Sequence, residues 1–222
     1  MSAPGARRLA EIRAVARSSG LAPALTALRD EVLPGLLPCG PGGHAVVPAS
    51  LLAEPAELWF DGEAGVAAEA GPATAWALPG GAVSIVSFRR SGPASDAVAA
   101  GRQDWQTGLL AVRLGLSEGL RDACRRYLAT RRVGESFALH QQMVKADLAA
   151  AAIRQEEAGA ALPAAGELDE TSLGYLHTAV TDADRLLAPL LGAAGYLRGS
   201  HGHAADASEL VAGAYLPVRC AA

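Results

Sequence analysis

The strongest constraint on the fold of this 222-residue chain is a periodic placement of apolar residues in its second half. Two series recur at steps of three and four, and a turn containing arginines separates them. Side chains spaced in this way share one face of an α-helix. The pattern therefore predicts two long helices with these apolar faces: Trp105, Leu109, Val112, Leu116, Leu120, Ala123 and Tyr127 in the first, and Leu139, Met143, Ala146, Ala150 and Ile153 in the second.

A third helix is predicted from about Glu170, capped by Asp169 or Thr171. A Gly-rich turn at 192–203 follows it, and a shorter helix is expected at 204–216. Helices with short connections pack most simply as an up-and-down bundle. The expected fold is mainly α, with an up-and-down four-helix bundle over residues 96–218. The apolar face of the third helix comprises Leu173, Leu176, Val180, Ala183, Leu187 and Leu190.

Residues 1–38 form a short N-terminal helical segment in this prediction, with one or two helices between Ala6 and Leu37. The second helical stripe includes Leu36. Prolines and glycines at 34–43 indicate a loop. The predicted helical faces are Leu9, Ile12, Val15 and Ala16, followed by Leu25, Leu28, Val32 and Leu36.

Residues 44–92 are expected to form a small β-containing segment before the bundle. Glu57–Phe60 and 82–88 are short runs rich in strand-forming residues, and the second is bounded by Pro79-Gly80-Gly81. The run 74–78 is the candidate hairpin partner of 82–88. A small sheet is the resulting prediction.

Composition excludes some classes of function. The net charge is −4 and the pI about 5.7, so the chain lacks the basic surface that nucleic acid or an anionic membrane requires. The three cysteines are widely spaced, which argues against a disulfide framework or a C-x-x-C metal motif. Neither a signal peptide nor a membrane-spanning apolar run is recognised, so the cytoplasm is the expected location.

Residues 105–155 resemble the C-terminal helical domain of acyl-CoA dehydrogenases. Leu114-Gly115-Leu116 matches the family's first helix with its glycine at a helix crossing. Tyr127 and Arg131 match a tyrosine and an arginine at the end of that helix, and Gln142 matches a glutamine eleven residues after the arginine. Leu148-Ala149 matches a Leu-Ala pair. More loosely, Gly192-Ala193-Ala194-Gly195-Tyr196 stands where the family has a Gly-Gly-x-Gly turn.

The resemblance implies an FAD-dependent oxidoreductase that removes hydrogens from the α and β carbons of an acyl thioester. It implies that Arg131, Gln141, Gln142, Gly192 and Gly195 contact the flavin dinucleotide. Guanidinium groups bind pyrophosphate through charge-assisted hydrogen bonds, and glycines allow close backbone approach. Since a neighbouring subunit holds much of the flavin in this family, a homodimer or a hetero-oligomer with a full-length homologue is also implied.

The chain departs from the family pattern at several positions. Gly134-Glu135 replaces the Phe-Gly pair, Pro189 replaces a glutamine, and Gln106 lies near one position of the catalytic glutamate. No catalytic base is therefore assigned. The alternative function is a non-catalytic helical subunit or interaction module that pairs with a full-length flavoprotein homologue. A plain helical module without flavin ancestry is the third interpretation.

Other titratable residues are interpreted as solvated surface. His201 and His203 are spaced like a metal-binding pair, with His177, Asp206 or Glu209 as further ligands, but a solvated loop is the preferred interpretation and no metal is predicted. The helical glutamates expected to face solvent are Glu118, Glu156 and Glu157.

Overall fold

The computed structural model describes residues 4–53, 57–61, 63–66, 74–78, 82–88, 99–197 and 200–216. Helices dominate this part of the chain, as the apolar periodicity predicts. None of these helices is both long and apolar enough to cross a membrane. The helices are α1 (Ala6–Ser19), α2 (Leu21–Val32), α3 (Ala99–Thr130), α4 (Gln142–Ala161), α5 (Glu170–Leu187) and α6 (His201–Tyr215).

Helices α3 to α6 form the predicted bundle. The long α3 is its centre, since α4, α5 and α6 all pack against it. Asp169 caps α5 by accepting a 2.7 Å hydrogen bond from the backbone N–H of Ser172, which decides between the two predicted capping residues. The α5 stripe is buried at Leu173, Leu176, Val180, Ala183 and Leu187, as predicted.

Helices α1 and α2 pack against α3. Gly115 marks the closest approach between α1 and α3, because a Cβ there would lie 2.2 Å from the carbonyl oxygen of Arg13. Nearby, Arg13 donates two hydrogen bonds to Glu118, from Nε at 2.9 Å and from Nη2 at 2.5 Å. The expectation that Glu118 faces solvent is therefore wrong: the helix crossing buries it to 4 % exposure.

Among the described residues, the strands of the N-terminal half form two three-stranded sheets where one small sheet is predicted. In one, β1 pairs in parallel with β3, which pairs antiparallel with β4. In the other, β6 lies between β2 and β5 and is antiparallel to both, which confirms the predicted 74–78 hairpin. The strands are β1 (Leu36–Cys39), β2 (His44–Pro48), β3 (Glu57–Phe60), β4 (Glu63–Val66), β5 (Thr74–Ala77) and β6 (Val83–Ser87).

Two local predictions for the N-terminal half are wrong. Helix α2 ends at Val32, and Leu36 begins β1 rather than extending the helical stripe. The predicted loop at 34–43 therefore contains a strand. The pairing of Leu36 with Glu57 and of Cys39 with Phe60 stabilises this strand, a contact between distant segments that overrides the local proline and glycine signals.

Aromatic residues join the sheets to the bundle. The Trp59 and Trp105 ring centroids are 6.0 Å apart, and the Trp105 and Tyr215 centroids are 5.5 Å apart in an edge-to-face arrangement. The Tyr215 hydroxyl donates to the carbonyl oxygen of Val46 at 3.0 Å and accepts from its N–H at 3.1 Å. Residues from β2, β3, α3 and α6 therefore share one core.

Helix α4 is turned differently from the prediction. Met143 and Ile153, both assigned to its buried face, are 75 % and 68 % exposed. The buried residues are Ala151, Gln155 and Ala158, with Val144 and Leu148 partly covered. The existence of the helix is confirmed, whereas its predicted buried face is wrong.

Candidate functional site

Arg131, the candidate pyrophosphate ligand, directly follows the last residue of α3 and is exposed. Its guanidinium donates a hydrogen bond from Nη1 to the Tyr127 hydroxyl and lies 5.6 Å from the centroid of that ring. Tyr127 is one helical turn earlier, so the helix positions both side chains on one side. This contact restrains the guanidinium and leaves further N–H groups able to bind an anion.

Gln141 and Gln142 lie at the start of α4, as predicted. A β-hairpin, β7 (Arg132–Val133) and β8 (Ser136–Phe137), and a 3₁₀ turn (Ala138–His140) connect α3 to this point. Gln141 is the N-cap, but its side chain makes no capping hydrogen bond, and Gln142 is exposed. The first N–H groups of an α-helix lack internal partners and carry partial positive charge. This helix end therefore suits an anion.

Gly192 and Gly195 lie in a 3₁₀ segment, Ala188–Tyr196, rather than in an open turn. Gly192 is exposed, with a φ of +53°. Gly195 is buried, and the first turn of α6 packs directly on it, since a Cβ on Gly202 would lie 2.1 Å from the Gly195 carbonyl oxygen. Gly192 faces solvent, whereas Gly195 serves the packing of α6.

All five candidate residues belong to segments that meet around one apolar cluster. The cluster contains Leu128 from α3, Ala138 before α4, Ala151 from α4, and Leu187 and Leu191 near the end of α5. The cluster brings the segments to one region of the bundle, although no hydrogen bond between the five side chains is seen in the described part of the chain. A guanidinium, a helix N-terminus and amide side chains are the kinds of group that bind a pyrophosphate in proteins.

A second polar group, which was not predicted from the sequence, lies inside the bundle. Arg113 of α3 is 0 % exposed. It donates from Nε to Ser208 at 3.1 Å and from Nη2 to Thr181 at 2.6 Å. Its Nη1 donates to His177 Nδ1 at 3.0 Å and to the His177 carbonyl oxygen at 3.1 Å. One arginine thus connects α3 with α5 and α6.

The hydrogen bonds determine the protonation state of His177. Its Nε2 lies 3.1 Å from the Gln106 carbonyl oxygen, which can only accept, so Nε2 carries the proton. Nδ1 then accepts from Arg113. Burial, reinforced by the Arg113 charge, lowers the pKa of His177 to about 3. His177 is therefore a neutral structural residue, and its assignment to a metal set is not supported by this placement.

Asp184 is the acidic member of the buried group. Burial raises its pKa to about 7, against the opposing effects of Ser117, Arg113 and Ser208. Its Oδ1 is enclosed and has no hydrogen-bond partner among the described residues. Arg113, Thr181 and Asp184 line a cavity of about 60 Å³ at the α5–α6 contact. Two sequence signals could have revealed the group: polar residues 106, 113 and 117 on α3, and 177, 181 and 184 on α5.

The opposite pKa shifts of Asp184 and His177 predict a pH dependence of stability. The raised pKa of Asp184 (from 3.8 to about 7) decreases the free energy of unfolding as pH rises through that window. The lowered pKa of His177 (from 6.5 to about 3) increases it as pH rises through its own window. In the wild type these effects oppose each other. As the pH rises from 4 to 7, the free energy of unfolding of Asp184→Asn should therefore increase relative to that of the wild type. The free energy of unfolding of His177→Gln should decrease relative to that of the wild type over the same range.

Urea unfolding at a series of pH values measures both differences. The pKa shifts are wrong if the free energies of unfolding of both variants change in parallel with that of the wild type. Asp182→Asn, on the neighbouring and less buried part of α5, is the matched control.

The sequence has no match among family models or curated proteins. Several solved structures share its fold, including the following three. One is the Tcur3481–Tcur3483 steroid ACAD variant, with a TM-score of 0.51 and 16 % identity over 92 % of this chain and 70 % of that chain. Another is a probable acyl CoA dehydrogenase from Mycobacterium abscessus, with a TM-score of 0.50 and 14 % identity over 75 % of this chain and 52 % of that one.

The chain has an acyl-CoA dehydrogenase-like fold. The third structure is FkbI, for biosynthesis of the methoxymalonyl extender unit of the Fk520 polyketide, with a TM-score of 0.50 and 14 % identity over 80 % of this chain and 60 % of that one. The chain spans about half to seven-tenths of the length of these proteins.

Gln106 lies near the sequence position considered for a catalytic glutamate. It is 4 % exposed, and its side-chain Nε2 lies 3.4 Å from the Tyr215 carbonyl oxygen, to which it donates. An amide cannot remove a proton from carbon. Glu118, further along α3, is held by Arg13. Gln106 and Glu118 of α3 thus serve packing rather than proton abstraction.

The remaining titratable residues are placed as follows. His201 is exposed and His203 half-buried at the start of α6, and in the described part of the chain no three His, Cys, Asp or Glu side chains come together as a metal site. Glu156 and Glu157 are exposed, as predicted. Cys39 and Cys124 are buried free thiols, and Cys220 lies outside the described residues.

Proposed function

We propose that the chain is a subunit of an FAD-dependent dehydrogenase acting on an acyl thioester. The observation that supports this is the exposed Arg131, restrained by Tyr127 and located near the uncapped start of α4, in an acyl-CoA dehydrogenase-like fold. Arg131, Gln141 and Gln142 would hold the dinucleotide, with Gly192 beside them and Gly195 shaping the segment. Bound flavin supplies a hydride acceptor in this class of reaction.

We propose further that another subunit supplies the catalytic base. Gln106 cannot serve as one, and Glu118 is engaged with two nitrogens of Arg13. Glu118 is also only 4 % exposed, so a substrate carbon has no open approach to its carboxylate. The chain would then contribute flavin contacts and a bundle surface to an assembly whose proton abstraction takes place elsewhere.

The outer face of α4 is the proposed contact with that second subunit. Met143 and Ile153 project from it with most of their surface exposed. Ile153 lies on the side of α4 opposite Ala151 and Ala158, and Met143 lies about 80° from Ile153 around the helix axis. Exposed large apolar side chains on a helix exterior are typical of protein interfaces. A second copy of the chain or a full-length homologue would cover this face; the former gives a homodimer and the latter a hetero-oligomer.

Flavin binding should depend on Arg131. We expect the purified chain, alone or with its partner subunit, to retain FAD absorbance and to show a thermal shift with added FAD. Arg131→Ala should weaken FAD binding about tenfold or more, because a charge-assisted hydrogen bond contributes roughly 1.5–3 kcal/mol. Arg7→Ala, at an exposed position on α1, should leave the affinity unchanged.

Fluorescence titration of FAD measures these affinities, and gel filtration of Met143→Asp measures association. The proposal is wrong if neither the chain nor its complex binds FAD, or if Arg131→Ala binds it like wild type. Oligomers that associate but do not bind added FAD would instead favour the non-catalytic helical module, since the exposed α4 face supports association independently of flavin.

A further inference from the structure

The charged residues of this chain are distributed unevenly along the sequence. Residues 121–132 hold five arginines and one aspartate, whereas the whole chain has a net charge of −4. The rest of the chain therefore carries a net charge of −8. Residues 155–184, in contrast, hold seven acidic residues and no lysine or arginine. Positive and negative charge are thus concentrated in two separate segments.

The positive charge lies on the outer side of the last part of α3. Arg125 and Arg126 are exposed there, and Arg121 is half-buried. These three arginines form the basic patch, and none of them has an ion pair or a side-chain hydrogen bond within the described part of the chain. Asp122, the acidic residue between them, is already paired with Arg17 of α1 at 2.6 Å. The charge of the basic patch is therefore not neutralised by its own surroundings.

A complementary acidic patch lies at the start of α5. It consists of Glu167, Asp169 and Glu170, all of which are exposed. Among the described residues, no lysine or arginine forms an ion pair with these carboxylates. Arg102 lines a small cavity together with Glu170, but it pairs instead with Asp61 at 2.9 Å. The acidic patch is therefore as free to bind an external partner as the basic patch is.

The two patches lie at opposite ends of α3. Gln103, near the start of α3, donates from Nε2 to the Leu168 carbonyl oxygen at 2.7 Å, which places the acidic patch at that end. Arg125 lies far along the same helix, roughly 33 Å from Gln103 at 1.5 Å per residue. The Debye length is only about 10 Å at 0.1 M salt, so the patches hardly interact within one molecule. Each patch can be neutralised only by another molecule.

We infer that the basic patch of one copy of this chain binds the acidic patch of a second copy. The chain itself supplies both complementary surfaces. An anionic membrane suits the basic patch less well, because it would repel the net charge of −8 on the rest of the chain. Single exposed ion pairs contribute little, so several must form together, and the contact must weaken with salt. It goes beyond the proposed flavin function, since it includes neither Arg131 nor the outer face of α4 and needs no FAD.

Analytical ultracentrifugation of the full chain without FAD tests this contact. The dissociation constant should rise about tenfold or more between roughly 0.02 M and 0.5 M NaCl, because salt screens exposed charges. Two charge-reversed variants, Arg125→Glu/Arg126→Glu and Glu167→Arg/Glu170→Arg, should each associate about tenfold more weakly than wild type at low salt. Their equimolar mixture should associate like wild type, because one variant then has two acidic patches and the other has two basic ones. Arg125→Lys/Arg126→Lys, which keeps the charge, is the matched control and should associate like wild type.

Three results would overturn the inference: a monomeric wild type at low salt, association that does not weaken with salt, or a charge-reversed variant that associates like wild type. A mixture of the two variants that fails to associate would overturn it as well. Circular dichroism of each variant verifies that it is folded.

Two further measurements separate this contact from other surfaces. Met143→Asp should keep the salt-sensitive association, and its complete loss in this variant would assign the association to the outer face of α4 instead. A chain that stays monomeric but binds phosphatidylserine vesicles through Arg125 and Arg126 would assign the basic patch to a membrane. Because FAD is absent and Arg131 is unchanged throughout, failure here leaves the flavin result unaffected, and the converse also holds.

Discussion

Arg113→Ala is expected to lower the free energy of unfolding by about 3–5 kcal/mol, the cost typical of removing one partner from a buried charged group. The side chain is inaccessible to solvent and connects three helices through hydrogen bonds to His177, Thr181 and Ser208. Alanine leaves these groups without their donor and Asp184 without its nearby positive charge. Urea denaturation at pH 7.5 measures the change.

Arg185→Ala is the matched control for Arg113→Ala. Arg185 lies on α5 beside the same small cavity, but its ion pair with Glu209 is exposed, at 64 % and 55 % of the two side chains. Exposed ion pairs typically contribute less than about 1 kcal/mol. Equal unfolding midpoints for the two variants would show that the buried group does not stabilise the bundle.

Gly115→Val should destabilise the fold by about 3 kcal/mol or more, since overpacking of a close contact commonly costs 1–3 kcal/mol and here a backbone atom blocks the new side chain. A Cβ at this position lies 2.2 Å from the Arg13 carbonyl oxygen and 2.8 Å from the Ala16 Cβ. Helix α1 must therefore move away from α3, which also disturbs the Arg13–Glu118 hydrogen bonds. Thermal and urea unfolding should both report the loss.

Gly213→Ala is the control for a glycine without a packing role. Nothing lies within 4 Å of a Cβ at this position of α6. Alanine has the higher helix propensity, so this variant should be more stable by about 0.5–1 kcal/mol. If Gly115→Val is as stable as wild type, the close crossing of α1 and α3 is wrong.

Much of the candidate flavin region could be predicted from sequence because its features are local. Arg131 follows the apolar stripe of α3, and Gln141 and Gln142 precede the apolar stripe of α4. The helix boundaries alone therefore place these residues at the end of one helix and the start of the next. The buried role of Gly195 could not be predicted in this way. It depends on the first turn of α6, which packs on the Gly195 carbonyl oxygen from a later segment of the chain.

The buried face of α4 could not be predicted from apolar spacing, for a different reason. Alanine occupies several faces of this helix, so the apolar area gained by burying one face rather than another differs little. Met143 and Ile153 suggested one face, but the contacts with α3 and α5 bury Ala151, Gln155 and Ala158 instead. Gln155 is accommodated because its Nε2 donates to Ser117 at 2.7 Å. A hydrogen-bond partner on another helix determines this burial.

The sequence by itself determined where the main helices lie, because apolar spacing and capping act over a few residues. Asp169 and the stripe from Leu173 to Leu187 specify α5 in this way. Only the tertiary structure decided which polar residues are buried. Arg113 and Glu118 are both charged residues of one helix, and only the positions of α1, α5 and α6 place their partners within hydrogen-bonding distance. Burial of a charge depends on contacts between distant segments, which local spacing does not contain.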